Sequence, residues 1–421
     1  MKVLWFSNTP AMGEEYLNKT SKIKGTGGWM YSLNKALQHK VELAIAFHYP
    51  YNKQYFEYQQ TSFYPIYTGN IIIENIKKRI IGGVYDEDFL VQYLRVIDLV
   101  KPDIIHIHGT ENSFLCILGK TEIPVVLSIQ GNLTVYIHKF LSGFHGKYLS
   151  KKSGNISLKT FFFGRNSFQK GFSKMKKMAS IEQKYLFRAQ YIIGRTDWDK
   201  RITRVLAPGS KYYLGNEILR SGFYENHWAN NQPEGKFIIF TTNGNNYYKG
   251  FETICHTLQL LKNVGMDIEW RVAGVSENSL INLITKKILG NNYPEKGLVL
   301  LGSLDENELI SNLRESHLYV MPSHIENSPN NLCEAMIMGM PCIATFAGGT
   351  GSMLTDGEEG ILVQDGDPWS MAGSVLELKN DQEKALKFGK AARERAFLRH
   401  SKEKIVINLM ETYKTIIDDK N

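Results

Sequence analysis

The chain has 421 residues, 43% hydrophobic and 22% charged, and a formal net charge of +8. That length exceeds one ordinary core and suits two domains of about 200 residues each, with the composition of a soluble globular protein. No apolar run approaches the ~18–20 residues of a membrane span, and Cys116, Cys255, Cys333 and Cys342 lack the spacing of a metal site or a disulfide framework.

The start, MKVLWFSNTPAMGEE, has no long apolar stretch followed by a small-residue cleavage site, so a cytoplasmic location with reduced thiols is expected. The charge is uneven. Residues 1–215 carry 30 Lys and Arg against 15 Asp and Glu, whereas residues 216–421 carry 20 against 27. An asymmetry of that size suggests that the first half faces something anionic.

Lys2–Phe6 reads as a first strand, leading into a loop that ends in Lys24-Gly25-Thr26-Gly27-Gly28. Trp29–Gln38 has helical spacing and Val41–Phe47 is the next strand. Strand, glycine-rich loop, helix and strand open a parallel, doubly wound domain. Gly27 and Gly28 would let the backbone approach a phosphate at the helix start, although such a pair alone is more often an ordinary turn. Residues 50–85 are aromatic and irregular and carry no usable motif. Phe89–Val100 reads as a helix stopped by Pro102, and Asp103–Gly109 as a buried strand running into a loop. His106 and His108 share one face of that strand, but no third residue at useful spacing makes them a metal pair. Pro124–Ile129 is another strand, with Gln130 at its end.

Lys139–Arg188 is the strongest compositional anomaly, with twelve Lys or Arg and a single acid, Glu182, interleaved with rings such as Phe140, Phe144 and Phe172. Cations among aromatics suit an anionic membrane surface, where each contributes about 1 kcal/mol. The competing reading is a solvated charged helix whose rings belong to the core. No nucleic-acid-binding module accompanies the charge, and no nucleic-acid partner is expected. Ala179–Ala189 is helical, Gln190–Gly194 a strand, and Thr196 is placed to cap the helix beyond it. Arg195, at that strand's end, either points into a cleft or forms a structural ion pair.

Periodicity fades over Tyr213–Glu234, where the interdomain linker is placed. A fresh alternation then runs through Phe237–Thr241, Phe251–Asn263, Ile268–Ala273, Leu280–Leu289, Val299–Leu301, Glu306–Arg314 and Leu318–Met321, the pattern of a second doubly wound domain. Lys249-Gly250 stands just ahead of its first helix.

The most informative run is Met321–Gly349, MPSHIENSPNNLCEAMIMGMPCIATFAGG. It reads as strand end, polar loop, a helix over Asn330–Met338 stopped by Gly339 and Pro341, a strand over Cys342–Thr345 and a glycine turn. The amides of Asn330, Asn331 and Leu332 would be unpaired donors at the helix start, a place that favours a phosphate. Glu326 ahead of that helix and Glu334 within it would accept from hydroxyls. A nucleotide sugar offers both kinds of group. Taken as two glutamates alone, the pair is equally a surface loop charge and a helix residue favoured by the dipole.

Glu326–Glu334 within PSHIENSPNNLCEAMIMGMPCIAT resembles the E-x7-E signature of glycosyltransferase family 4, the retaining GT-B enzymes also called group 1 glycosyl transferases. The resemblance implies an α/β fold of two Rossmann-like domains facing a cleft. Residues 1–215 would be the acceptor side, 216–401 the nucleotide-sugar side, and a helix over about 402–421 would cross back to the first domain. It implies a hexosyltransferase that takes a nucleotide-diphosphate sugar and needs no metal or other cofactor. The acceptor would be a saccharide, lipid-linked in bacterial surface polysaccharide or lipopolysaccharide assembly, so that the chain sits in the cytoplasm or peripherally on the inner face of the plasma membrane.

Residue by residue, Glu326 would hold the sugar's hydroxyls and Glu334 the ribose. Lys249, with Asn330, Asn331 and Leu332, would hold the diphosphate. Gly27 and Gly28 would approach it from across the cleft. His108 and Glu111 follow the family's HxHG strand end and would reach a sugar, and Arg195 is a further candidate. Three positions depart from the pattern. Gln130 stands where many relatives have histidine, and it can position a hydroxyl but cannot titrate. Asn243-Gly244 stands where relatives often have arginine, leaving Lys249 as the cation with Asn243 adding hydrogen bonds. Ser352 replaces a common glutamate. Those gaps keep a catalytically silent nucleotide-sugar-binding subunit open, and a GT-B nucleotide-sugar epimerase shares the donor site. A dinucleotide oxidoreductase is disfavoured by the lack of a G-x-G-x-x-G with its later acid.

Overall fold

The computed structural model describes residues 1–18, 28–69, 89–144, 158–230 and 235–420. Two compact units account for them: Met1–Val135, Lys174–Ile218 and His400–Asn421 form the first, and Tyr136–Ser173 with Leu219–Arg399 the second. The change of unit at Ile218–Leu219 falls inside the stretch where sequence periodicity fades.

In the first unit, β1 (Lys2–Ser7), β2 (Glu42–Tyr49), β3 (Phe56–Tyr58), β4 (Thr61–Tyr67), β5 (Ile104–His108), β6 (Val125–Ser128), β7 (Tyr191–Gly194) and β8 (Lys211–Leu214) form one sheet in the order β3-β4-β2-β1-β5-β6-β7-β8. All neighbours are parallel except β3, which pairs antiparallel with β4. The β3–β4 hairpin lies in the aromatic stretch that showed no motif, and its polar and apolar residues alternate too briefly to read.

Parallel sheets are covered on both faces, so their strands are apolar throughout rather than alternating. Val3, Leu4, Trp5 and Phe6 are all fully buried. Val3 and Trp5 join Met30 and Leu33 of the Gly28–Leu37 helix and Leu409, Tyr413 and Ile416 of the last helix. Leu4 and Phe6 turn to the opposite layer, with Tyr93, Val96 and Ile97 of the Leu90–Val100 helix.

The Lys402–Lys420 helix is thus part of the first unit's core, and one polar chain registers it there. The Trp5 indole donates to the Tyr413 hydroxyl at 3.2 Å. The same hydroxyl is hydrogen-bonded to His106 Nδ1 at 2.5 Å. His106 Nε2 is hydrogen-bonded to Ser128 Oγ at 2.6 Å, so that both ring nitrogens of the neutral imidazole have a partner, one donating and one accepting. Burial, with Arg195 adding to it, pushes His106 down to about 3 and keeps it neutral.

In the second unit, β9 (Phe237–Thr242), β10 (Ile268–Ala273), β11 (Leu298–Gly302), β12 (Leu318–Met321), β13 (Cys342–Thr345) and β14 (Ile361–Val363) form a parallel sheet ordered β11-β10-β9-β12-β13-β14. Relabelled from its first strand, that is the 3-2-1-4-5-6 order of a dinucleotide-binding fold. Tyr136–Ser173 groups with this unit. Tyr136 meets Tyr248 at 5.4 Å between ring centroids, and Phe140 and Phe144 each meet Tyr247 at 5.7 Å. Phe140 and Phe144 are buried and belong to the core, which corrects the surface role expected of those two rings. Residues 145–157 of the basic segment lie outside the described residues. Among the described residues, no helix is long and apolar enough to cross a membrane.

Replacing Tyr413 by Phe should strand the Trp5 indole and His106 Nδ1 without partners. A loss of about 1–3 kcal/mol in the first unit's unfolding transition is expected by calorimetry. An unchanged transition would mean that the polar chain does not register the last helix.

Candidate functional site

In the second unit, β9 and β12 are neighbours, but the chain leaves β9 towards β10 and leaves β12 towards β13. Loops that part in this way open a crevice at the carboxyl ends of the two strands. The exit of β9 supplies Asn243 and the Tyr247–Lys249 turn. That of β12 supplies Ser323, Glu326 and the Asn330–Met338 helix.

Glycines set this geometry where a side chain would collide. Gly250 has φ +72°, and a Cβ there would come within 2.0 Å of the Pro322 carbonyl. The Lys249 turn can therefore lie directly on the β12 exit. Asn243 Nδ2 donates to the Lys249 carbonyl at 3.0 Å and the His324 amide to the Tyr248 carbonyl at 2.8 Å. Gly348, at φ +61°, would place a Cβ 2.1 Å from the Glu326 carbonyl, which accepts from the Gly349 amide at 2.9 Å. The glycine turn after β13 is thus the bed on which the Glu326 backbone rests.

Lys249 Nζ lies 2.6 Å from Glu326 Oε1, and Ser323 Oγ donates to the same oxygen at 2.7 Å. Glu326 is 5% exposed. Both bonds fall on Oε1, so Oε2 remains for a further donor. Burial works against the Lys249 charge, but Glu326 and Tyr248 outweigh it and hold the ammonium above its ordinary range.

The Asn330–Met338 helix starts without a side-chain cap. Leu332 was expected to offer a free amide, but its N–H donates to the Pro329 carbonyl at 3.1 Å, as does that of Cys333 at 3.2 Å. The first turn tightens on Pro329, so the unpaired amides are those of Asn330 and Asn331. Asn331 Nδ2 ties the helix start to the Thr242 carbonyl of β9 at 2.8 Å. Asn330 Oδ1 is buried without a hydrogen-bond partner. A lysine and a bare helix start together favour an anion at this crevice.

Glu334 has a partner that sequence spacing did not reveal. Arg220 forks onto it, Nε to Oε1 at 2.8 Å and Nη2 to Oε2 at 2.7 Å. Burial pushes the Glu334 carboxyl up, and the guanidinium opposes that push. Arg220 sits where periodicity fades, 114 residues from Glu334, and no local signal joins them. Asn243 likewise spends its side chain internally, on the Lys249 carbonyl and, through Oδ1, on the Gly244 amide at 2.7 Å.

The remaining expected residues are in the first unit, at the corresponding switch between β1 and β5. Glu111 accepts from Asn8 Nδ2 at 3.2 Å. Gly109 has φ +91°, and a Cβ there would sit 2.1 Å from the Glu111 carboxylate. Burial raises Glu111 to about 7, with Asn8 opposing and Glu182 adding. His108, 1% exposed, stacks on His106 at 3.8 Å and packs edge-on to Trp5 at 4.6 Å. Neither of its ring nitrogens has a hydrogen-bond partner. Both nitrogens of His106 are taken, so the two imidazoles do not make a metal pair. Arg195 is buried, with Nε 3.6 Å from Glu217 and its guanidinium 4.6 Å over the Trp29 ring, the structural ion pair of the two readings. Thr196 caps the next helix, accepting from the Asp199 amide at 3.1 Å. Gly28 is buried at its helix start, Gln130 is half-buried beyond β6, and Gly27 lies outside the described residues.

Arg220→Ala should leave the Glu334 carboxylate buried and unpaired, lowering the second unit's stability by about 3–5 kcal/mol in denaturant unfolding. Adding Glu334→Gln should restore most of that loss. Additive losses would show that the two side chains are not coupled.

Residues 223–395 match the family described as glycosyl transferases group 1. The sequence is 32% identical over 136 residues to N-acetyl-alpha-D-glucosaminyl L-malate synthase of Bacillus anthracis, covering 32% of this chain and 35% of that protein. It is 28% identical over 152 residues to an uncharacterized glycosyltransferase of Methanocaldococcus jannaschii, covering 36% and 42%. The chain thus spans less than half the length of these relatives. Sucrose-phosphate synthase from Thermosynechococcus elongatus superposes with a TM-score of 0.73 over 100% of both chains at 14% identity. Anabaena HepE, solved in complex with UDP-glucose, gives 0.62 over 99% of this chain and 100% of that one at 13% identity. At such identities the likeness is one of fold. Two doubly wound parallel sheets give the chain a GT-B fold, and the stretch that matches the group 1 glycosyl transferases, residues 223–395, carries the Glu326 and Glu334 pair and Lys249 at the second sheet's switch point.

Proposed function

We propose that the chain transfers a sugar from a nucleotide-diphosphate donor to a saccharide acceptor. The observation that carries this reading is the Lys249–Glu326 pair beside the uncapped helix start at Asn330. In the resting crevice, Lys249 neutralises Glu326. An arriving diphosphate takes up the ammonium together with the amides of Asn330 and Asn331, which frees Glu326 to accept from the sugar's hydroxyls. Glu334, fixed by Arg220, is assigned to the ribose. HepE has been solved with UDP and with UDP-glucose, which supports a donor of this class.

Departure of the donor phosphate builds negative charge on its oxygen, and fixed donors in a dry site stabilise that charge without reorganising. Lys249 and the helix start supply them, so the reading calls for no metal ion. We assign retention of configuration. The bond from the anomeric carbon to the phosphate oxygen breaks, the acceptor oxygen bonds to the same face, and the acceptor's proton passes to the leaving phosphate oxygen. Gln130 of the first unit is assigned to positioning the transferring sugar, and His108 and Glu111 to reaching the acceptor or the donor sugar.

The acceptor is assigned as lipid-linked, in bacterial surface polysaccharide or lipopolysaccharide assembly. Support comes from the Leu158–Leu186 helix, which exposes Lys174, Lys176, Lys177 and Lys184, and from the turn after it, where Arg188 is exposed and Phe187 is 71% exposed.

Incubating the protein with UDP- and GDP-sugars and lipid-linked saccharides should release nucleoside diphosphate in proportion to glycosylated product, with the donor's anomeric configuration kept by NMR. Glu326→Ala and Lys249→Ala should each lower kcat/KM about 10²–10³-fold while the fold persists. Unchanged turnover in Glu326→Ala would refute the site. Sedimentation with phosphatidylglycerol vesicles should fall steeply as salt rises. Equal sedimentation with neutral vesicles would rule out the electrostatic contact.

A further inference from the structure

His324 stands two residues before Glu326 and is 3% exposed. Its ring is wedged between two carboxylates from different elements. Nε2 lies 2.6 Å from Glu252 Oε1, on the helix that begins at Phe251, and Nδ1 lies 3.5 Å from Asp365 Oδ2, in the loop beyond β14. Asp365 is in turn 2.9 Å from Lys139 Nζ, at the end of the Leu133–Lys139 helix. Thr253 Oγ1 donates to Glu252 Oε1 at 3.1 Å. A buried ring that faces a carboxylate on each nitrogen can satisfy both only as the imidazolium, which has two N–H donors and no acceptor.

The place of this cluster gives it a consequence for the site. Glu252 is three residues beyond Lys249, and the His324 amide already holds the Tyr248 carbonyl at 2.8 Å. A Cβ at Gly143 would lie 2.1 Å from Glu252 Oε1, so the backbone there lies directly against the carboxylate. The loop bearing Glu326 and the turn bearing Lys249 are thus pinned to each other through one cation.

We propose that His324, as an imidazolium clamped by Glu252 and Asp365, is a positioning residue that sets the spacing of Lys249 and Glu326. This rests on the assignment of those two residues to the donor. Burial opposes the imidazolium, but Asp365 and Glu252 more than offset it and hold His324 up at about 9. Asp365 is held down, chiefly by His324 and then by Lys139. A folded value above the ordinary one means that the clamp is complete below the usual histidine range and is lost as pH rises through about 9. Neutralised, the ring has one N–H for two carboxylates, and one of the two elements is released.

The test follows the reactivity of Lys249 together with turnover. Competitive labelling with acetic anhydride, read by mass spectrometry against exposed lysines of the same chain, reports how tightly Lys249 is paired. Wild-type Lys249 should stay protected at neutral pH and react disproportionately faster above pH ~9, with donor turnover falling over the same range. Asp365→Asn should move both limbs down by about one pH unit or more, because one counter-charge is lost. His324→Gln should remove the limb and label Lys249 about tenfold faster at neutral pH. A merely structural histidine would lower the melting temperature without moving either limb. If Asp365→Asn and His324→Gln label Lys249 and titrate as wild type does, the positioning role is overturned. If the labelling behaves as described but no donor is turned over, the positioning role stands and the transferase reading falls.

Discussion

An ammonium and a carboxylate held 2.6 Å apart in a nearly closed crevice form the contact to which the second unit's details refer. Such a pair contributes little net stability, because desolvating both ions costs about what their attraction returns. Under the proposed function its value is in being replaceable: a diphosphate would take the cation, and hydroxyl groups would then take the anion. The neighbouring devices keep the two chains in place for that exchange. Gly250 lets one loop lie on the other, Gly348 lets the next turn support Glu326, and Asn243 holds the Lys249 carbonyl. Each of these would be an unexplained local oddity if the pair were only a surface ion pair.

The parallel sheet explains why the pair forms where it does. Strand order fixes which loops separate, and among the second unit's described strands only β9 and β12 are neighbours whose connections leave in opposite directions. Their exits carry Lys249 and Glu326. The first unit repeats the geometry at β1 and β5, where Asn8 and Glu111 meet. One architectural rule therefore places polar residues at the strand ends of each unit.

Much of this was legible in order along the chain. Apolar runs of four to six residues gave the parallel strands, and the loop-helix-strand reading of Met321–Gly349 matches β12, the Asn330–Met338 helix and β13. What stayed hidden was pairing at long range. Nothing near Arg220 signals Glu334, and nothing near His324 signals Glu252 and Asp365, because partners so distant in sequence are fixed by strand order rather than by periodicity. The β3–β4 hairpin escaped because β3 has only three residues and β4, TSFYPIY, carries Pro65 and polar residues among its rings. Phe140 and Phe144 were ambiguous for a related reason: a ring between lysines reads the same whether it meets lipid or Tyr247. Leu332 shows the limit of counting helix positions, since Pro329 drew its amide into a tightened first turn.

The seating of Tyr413 under Trp5 joins residues 408 positions apart. As the chain emerges from a ribosome, β1 waits until the Lys402–Lys420 helix that completes its layer has been made. Until then the first unit carries Trp5 and the Met30 face without the cover of Leu409 and Tyr413. Closure of so large a loop carries an entropic cost that grows only slowly with length, but the delay grows in direct proportion.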